Sequence, residues 1–207
     1  MKKIELDVFI DYVWPWCYLN TVSIEKLKKN YPIRIRLIHF PLHPQTPEEG
    51  ITLEELFPGS DLTPMKENMG TLMRDAGLAY GNRSHTYNSR LAQELGKWAD
   101  SQPNGEAIHN SIYEAYFVRN LNIGKTSVLV KIAGEVGLDP NSAKKILDNR
   151  DLKKSVDKDW ALSREMGITG VPTFYSNELT LVGCQPYEAL EKFVNHLIKL
   201  SPEINFD

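Results

Sequence analysis

The stretch Asp11-Tyr12-Val13-Trp14-Pro15-Trp16-Cys17-Tyr18-Leu19 joins two different periodicities, and that junction restricts the fold more than any other feature of the chain. Before it, Ile4, Leu6, Val8 and Ile10 alternate with period two, the pattern of a strand over residues 4–11. After it, Leu19, Val22 and Leu27 recur at helical spacing, so residues 17–30 read as a helix whose outer face carries Lys26, Lys28 and Lys29. A cysteine is thereby set on a strand-to-helix turn. The first turn of a helix has backbone N–H groups without intrahelical partners. Together with the dipole these favour an anion, which predicts a depressed pKa for a Cys17 thiol placed there. The redox form of such a turn is Cys-x-x-Cys, in which one thiol attacks and the other resolves the mixed disulfide. Cys17 occupies the second of those positions and Trp14 the first.

Pro32 resets the chain, and Ile33, Ile35 and Leu37 then alternate with Arg34 and Arg36 in a second strand ending near Phe40. So short a strand-helix-strand span predicts a parallel pair with a crossover helix. Residues 41–62 are punctuated by prolines and glycines and read as loop, with one short helix at Leu53–Phe57. Helical grammar follows for a hundred residues. Thr63 is the expected N-cap with Pro64 at the first helical position, Met65, Met69, Leu72 and Met73 form a core stripe, and Gly77 ends it. Further helices are expected at 88–100, 104–118 and 126–136, then one opened by Asp139-Pro140 and one from Val156 to Met166. Strand character returns at Thr173–Tyr175 and Leu179–Val182, joined by Ser176-Asn177-Glu178 as a hairpin. A closing helix starts near Pro186 and carries Leu190, Val194 and Leu197 at helical spacing.

The order β-α-β, helical block, β-β-α is an α/β plan, the thioredoxin fold with a large all-helical insertion. It divides the chain into residues 1–49 and 166–207 as the thioredoxin-like domain and 50–165 as a helical insertion subdomain packed over it. At 207 residues and 42% hydrophobic content the chain can bury a proper core. A net charge of −3 argues against a nucleic-acid partner, which calls for a basic face. No apolar run approaches the ~20 residues needed to span a bilayer, so no membrane association is expected. Lys2 and Lys3 resemble the start of a signal peptide, but Glu5, Asp7 and Asp11 interrupt any apolar segment, and a cytoplasmic location is expected. Two cysteines are too few for a secreted disulfide framework.

Asp11-x-x-Trp14-Pro15-Trp16-Cys17-Tyr18 resembles the active-site turn of the DsbA-like branch of the thioredoxin fold, in particular its cytoplasmic FrnE-like members. These carry a Cys-Pro-Trp-Cys-Tyr run after a first strand ending in Asp. Ile168-Thr169-Gly170-Val171-Pro172-Thr173-Phe174 is similar to the cis-proline segment of that family. Gly183-Cys184-Gln185-Pro186 is similar to its Gly-Ala-Gln-Pro turn, with Cys184 in place of Ala. Gly77-Leu78 to Asn88 and Ala115-Tyr116-Phe117 to Gly137-Leu138 resemble the intervening helices, so the likeness covers nearly the whole chain.

The resemblance implies a thiol–disulfide oxidoreductase with Cys17 as the catalytic thiol and Trp14, Pro15 and Trp16 forming the active-site turn. It implies a cis Val171-Pro172 bond that presents the Val171 backbone to a substrate chain, and Asn88 in the same groove. In such a plan the turn before the last helix shares a face with the first-helix turn, which makes Cys184 a candidate second thiol. The substrate class is a thiol-containing peptide, protein or small molecule. No cofactor is expected, with glutathione as a candidate co-substrate, and the oligomeric state is left open. Kappa-class glutathione transferases and 2-hydroxychromene-2-carboxylate isomerases share this architecture but carry Ser where Trp14 stands. A third class is a redox-inactive peptide-binding module that has kept the groove and lost the chemistry.

Each of these residues also has a structural reading. Cys17 is equally a small buried apolar residue, because the second thiol of such a turn is the inner one. Trp14 and Trp16 form a platform for substrate, or Trp14 plugs the pocket where one docked. Cys184 simply replaces Ala in a tight turn, and Asn88 caps a helix. His39 and His43 have prolines between and after them and no acidic or thiol partner at ligand spacing, so no metal centre is expected.

Overall fold

The structure, a computed structural model, describes residues 3–200. Lys2 of the leader reading and positions 201–207 of the second thioredoxin-like segment lie outside the described residues. The elements run β1 (Ile4–Ile10), α1 (Pro15–Asn30), β2 (Ile33–His39), β3 (Ile51–Thr52), α2 (Leu53–Leu56), α3 (Thr63–Asp75), β4 (His85–Thr86) and α4 (Arg90–Ala99). They continue with α5 (Ala107–Phe117), α6 (Thr126–Glu135), α7 (Pro140–Asp148), α8 (Lys153–Glu165), β5 (Thr173–Ser176), β6 (Leu179–Val182) and α9 (Tyr187–Leu200). This is the thioredoxin order with the helices α2–α8 inserted between β2 and β5.

The main sheet has the order β2-β1-β5-β6. β1 pairs parallel with β2, Ile4 opposite Ile33 through Ile10 opposite His39, which is the crossover pair its spacing predicts. β1 pairs antiparallel with β5, Phe9 opposite Thr173, and β5 with β6. The alternation of β1 gives way at its end, where Val8, Phe9 and Ile10 are all buried because a central strand is covered on both faces. On β2 the register sets Arg36 opposite Asp7, and its guanidinium donates twice to the carboxylate, at 2.7 and 2.5 Å. Asn177 and Glu178, both at positive φ, make the two-residue turn of the β5–β6 hairpin.

Most helix boundaries fall within a few residues of their sequence positions, and the exceptions have physical reasons. α1 begins at Pro15, not at residue 17, because proline is pre-organised for the first helical position. Thr63 is inside α3 and does not cap it. Its N–H donates instead to Asp61 Oδ1 at 2.9 Å, and Leu62 occupies the cap position. In the α3 stripe Met69 and Met73 are buried, but Met65, in the first turn, is 41% exposed. Val22 on α1 is likewise 39% exposed. The β3–β4 pair is new: two residues per strand are too few to show a period. Asp139 caps α7 as its sequence suggests, accepting from Asn141 and Ser142 N–H groups at 3.3 and 3.0 Å.

α4 is the hub of the inserted helices, packing against α5, α6, α7 and α8. It is buried almost all round, Gln93 and Glu94 included. α8 packs on β2 and α5 on α1, so one continuous apolar cluster runs from Ile4 to Leu197 through both the sheet and the helices. That shared core holds the α1 turn rigidly between sheet and helices.

Candidate functional site

β1 ends at Ile10, and Asp11 begins the turn that feeds α1. The Trp14 N–H donates to Asp11 O at 3.2 Å, and the Cys17 N–H donates to Trp14 O at 3.0 Å. Trp14 is therefore the N-cap residue, with extended φ and ψ, and Cys17 lies one helical turn further in. Cys17 is 1% exposed. Burial drives its thiol well above the ordinary value, and the nearby Asp11 and Cys184 raise it further, against a backbone hydrogen bond at Asp11 that lowers it. The depressed value expected of a helix N-terminal thiol is thus reversed, because desolvation of a thiolate outweighs the dipole. Trp14 and Trp16 are half-buried and pack against the core, while Pro15 is buried.

Asp11, the first residue of the motif, has a role under this turn that its sequence pattern did not give. It is fully buried, and burial raises its carboxyl to about 6 against hydrogen bonds from Ser89, Leu42, Val13 and Gln93. Its Oδ1 accepts from Val13 N–H at 3.2 Å and its Oδ2 from Leu42 N–H at 3.1 Å, which ties the turn to the loop after β2. Its sequence signal was an Asp closing the first strand, as in the motif of the resemblance. A group that no sequence pattern indicated is the chain Tyr12–His109–Asp100. The Tyr12 hydroxyl is 2.6 Å from His109 Nδ1, and His109 Nε2 is 2.9 Å from Asp100 Oδ1. The 97 residues between Tyr12 and His109 hide such a contact from any local pattern.

The Val171-Pro172 bond is cis. β5 begins just after it, with Thr173 opposite Phe9 near the end of β1, two residues before Asp11 and the Cys17 turn. The Pro172 carbonyl accepts from Gly183 N–H at 2.7 Å. The Asn20 side chain, one turn along α1 from Cys17, donates to Gln185 O at 3.3 Å. Cys184 is held between those two bonds, beside both the cis-proline loop and the Cys17 face of α1. It is half-buried, burial pushes its thiol up to about 11, and both cysteines are free.

Asn88 is engaged within the protein. Its amide donates to Thr46 O at 2.8 Å and Pro44 O at 3.3 Å, and its Oδ1 accepts from Arg90 N–H at 2.9 Å. It fastens the proline-rich loop to the start of α4, which is closer to the capping reading than to a group free for substrate. His39 is fully buried with neither ring nitrogen bonded, and burial lowers it well below the ordinary histidine range. Among the described residues no group of three or more His, Cys, Asp or Glu side chains is arranged to hold a metal ion.

A turn with a thiol at the third helical position, facing a cis-proline loop, is the arrangement expected of the resemblance. The model of the DSBA-like thioredoxin domain family matches residues 5–195. The chain belongs to that family. Uncharacterized protein YwbO of Bacillus subtilis (strain 168) is 26% identical over 199 residues, covering 93% of this chain and 96% of that protein. Among solved structures, probable DsbA oxidoreductase SCO1869 from Streptomyces coelicolor is similar with a TM-score of 0.85 and 22% identity, over 99% of this chain and 92% of that one. A 2-hydroxychromene-2-carboxylate isomerase is similar with a TM-score of 0.75 and 17% identity, over 98% of this chain and 100% of that one. Identities this low establish a shared fold and nothing further about chemistry. In this chain Trp14 stands three residues before Cys17 in that turn. No helix among the described residues is long and apolar enough to cross a membrane.

Proposed function

We propose that this DsbA-like protein carries out thiol–disulfide exchange through Cys184 and Cys17, with Cys184 supplying the outer thiol that Trp14 displaces. The observation that carries this reading is the placement of the 183–185 turn, bonded on one side to Pro172 and on the other to Asn20, one turn from Cys17. Exposure assigns the roles. Cys184 is half-buried and is the thiol that an incoming disulfide can reach, whereas Cys17 is sealed. The Cys184 thiol gives up its proton and its sulfur attacks one sulfur of a substrate disulfide, forming a mixed disulfide and releasing the first substrate thiolate. The Cys17 thiol then loses its proton and attacks the Cys184 sulfur. This forms the Cys17–Cys184 bond and releases the second substrate thiolate, so the substrate is reduced and the protein oxidised by the same two electrons. The Val171 backbone, free of the sheet before β5 begins, is suited to pair with an extended peptide or glutathione while this happens.

The raised thiols favour a second reading, a groove that binds such peptides without exchange. Treatment with oxidised glutathione, digestion without reduction and mass spectrometry separate the two. Exchange predicts a peptide linking Cys17 to Cys184 in the wild type and a trapped glutathione adduct at Cys184 in Cys17→Ser. Two free thiols after treatment leave only the binding module. A glutathione-dependent isomerase has less support, because Trp14 stands where those enzymes carry Ser.

A further inference from the structure

The main sheet ends in two edge strands, β2 and β6, and the molecule treats them differently. The outer edge of β2 is closed by side chains of the inserted helices. Lys97 Nζ donates to Leu37 O at 3.0 Å, Gln93 Nε2 donates to Phe40 O at 3.1 Å, and Asp159 Oδ2 accepts from His39 N–H at 2.9 Å. At the opposite edge β6 packs against β5. The Gly183 N–H donates inward to Pro172 O at 2.7 Å, and bonded and non-bonded positions alternate along an antiparallel pair. Leu181 is therefore the next residue to face Phe174 through bonds, while Thr180 and Val182 turn their N–H and C=O groups away from the sheet. Gln185 Nε2 covers one of these groups, donating to Val182 O at 2.7 Å. The Thr180 N–H and C=O and the Val182 N–H have no partner among the described residues.

An unpaired strand edge is a template for another strand, and proteins ordinarily blunt it with charge, proline or cover. β6 has none of these. Its residues Leu179-Thr180-Leu181-Val182 are uncharged, Thr180 is exposed, and Val182 is 58% exposed. The open edge also leads to a thiol, because the half-buried Cys184 follows two residues after Val182. A second copy of the chain is a poor occupant. Four residues give about 13 Å of strand, far short of the roughly 20–30 residues a side that a stable interface engages. An extended chain needs only main-chain bonds to bind such an edge. We propose that the outer edge of β6 is a strand-addition site for an extended polypeptide that bears the substrate disulfide, paired through Thr180 and Val182. Only the meeting of that polypeptide's sulfur with Cys184 rests on the exchange reading.

The probe is ribonuclease A that has been reduced and carbamidomethylated, an unfolded chain with no thiol, which cannot exchange. Amide hydrogen exchange of the wild type should slow at least about tenfold at Thr180 and Val182 when the probe is added to saturation. Thr180→Pro deletes one outward N–H and leaves the β5 pairing intact, since proline is tolerated on that side of an edge strand. Calorimetry should show it binding the probe at least about tenfold more weakly than the wild type, with Thr180→Ala binding as the wild type does. Unchanged amide exchange at both residues, equal binding by the wild type and Thr180→Pro, or no binding up to millimolar concentration each overturn the site. A wild-type dimer in sedimentation velocity that Thr180→Pro dissolves also overturns it and gives the edge to a second copy. The wild-type amides decide the matter even if Thr180→Pro does not fold. If they are protected but oxidised glutathione never yields the Cys17–Cys184 link, the thiol–disulfide reading falls and the strand site stands. The link without the protection removes the strand site alone.

Discussion

Asp11 shows at a single residue how burial sets chemistry near the thiols. Its carboxyl is raised from 3.8 to about 6 in the folded protein, so the native state holds its proton more tightly than the unfolded chain does. The native state then binds more protons between those two values, and stability must fall as pH rises through that window and stay low above it. A shift of about two units corresponds to about 3 kcal/mol. Asp11→Asn removes the titrating group but keeps only one oxygen, so either Val13 N–H or Leu42 N–H loses its acceptor at a cost of about 1–3 kcal/mol. The absolute stability of the variant is therefore close to balance, but its pH dependence is not. Urea denaturation at pH 4 and pH 7 should show the wild type losing about 2–3 kcal/mol relative to Asp11→Asn as pH rises. A constant difference between the two proteins at both pH values refutes the buried, titrating carboxylate.

At the scale of elements, α4 owes its central place to residues that let other elements come close. Gly96 is the clearest case. A Cβ there would overlap the Tyr12 hydroxyl and lie 3.3 Å from His39 Nε2 and 3.4 Å from His109 Cε1. On an exposed helix Gly→Ala gains about 1 kcal/mol in helix propensity. Here the Tyr12 ring is fully buried and bonded to His109, so it cannot swing aside, and overpacking costs about 1–3 kcal/mol. Gly96→Ala should therefore lower the urea midpoint, and a raised midpoint would show that Tyr12 yields freely. The periodicity of α4 was plain in the sequence, with Leu91, Leu95 and Trp98 at helical spacing. Its burial on the polar side, through Gln93 and Glu94, was not, because the partners of those residues come from distant segments. Trp160 Nε1 donates to Gln93 Oε1 at 2.8 Å from 67 residues away.

Across the whole molecule, the inserted helices are bound to one another by a buried carboxylate as much as by apolar contact. Glu94 on α4 is fully buried and accepts from Arg90 Nε at 3.0 Å and from Arg150 Nε and Nη2 at 2.9 and 2.6 Å. Arg90 also reaches Asp157 on α8 at 2.6 Å, and its guanidinium lies 4.4 Å from the Trp160 ring centroid. Removing one partner of such a cluster costs more than the pair contributes, because the remaining charges stay partly desolvated. Glu94→Ala should destabilise the protein by about 3 kcal/mol, the low end for buried pairs, since Arg150 is 42% exposed and can rehydrate. Amide exchange should then rise in α7 and α8 together. Faster exchange in α4 alone would mean the cluster does not join the helices.

Local order was written in the sequence: the strand–turn–helix at Asp11–Leu19, the β-α-β and β-β-α ends and the helical block follow from periodicity, capping and proline placement, which act over a few residues. The cis-proline loop and the family were legible through their motif. Tertiary structure alone decided the chemical state of the site. Whether Cys17 is a thiolate or a sealed thiol depends on how completely the sheet and helices exclude water from it. The placing of Cys184 beside it depends on two bonds, one of them spanning 165 residues. The sequence is compatible with Asn88 as a groove residue or as a helix cap, and the loop it fastens, through Pro44 and Thr46 more than 40 residues away, is a tertiary matter. Desolvation is set by all surrounding segments at once, and no stretch of sequence carries it.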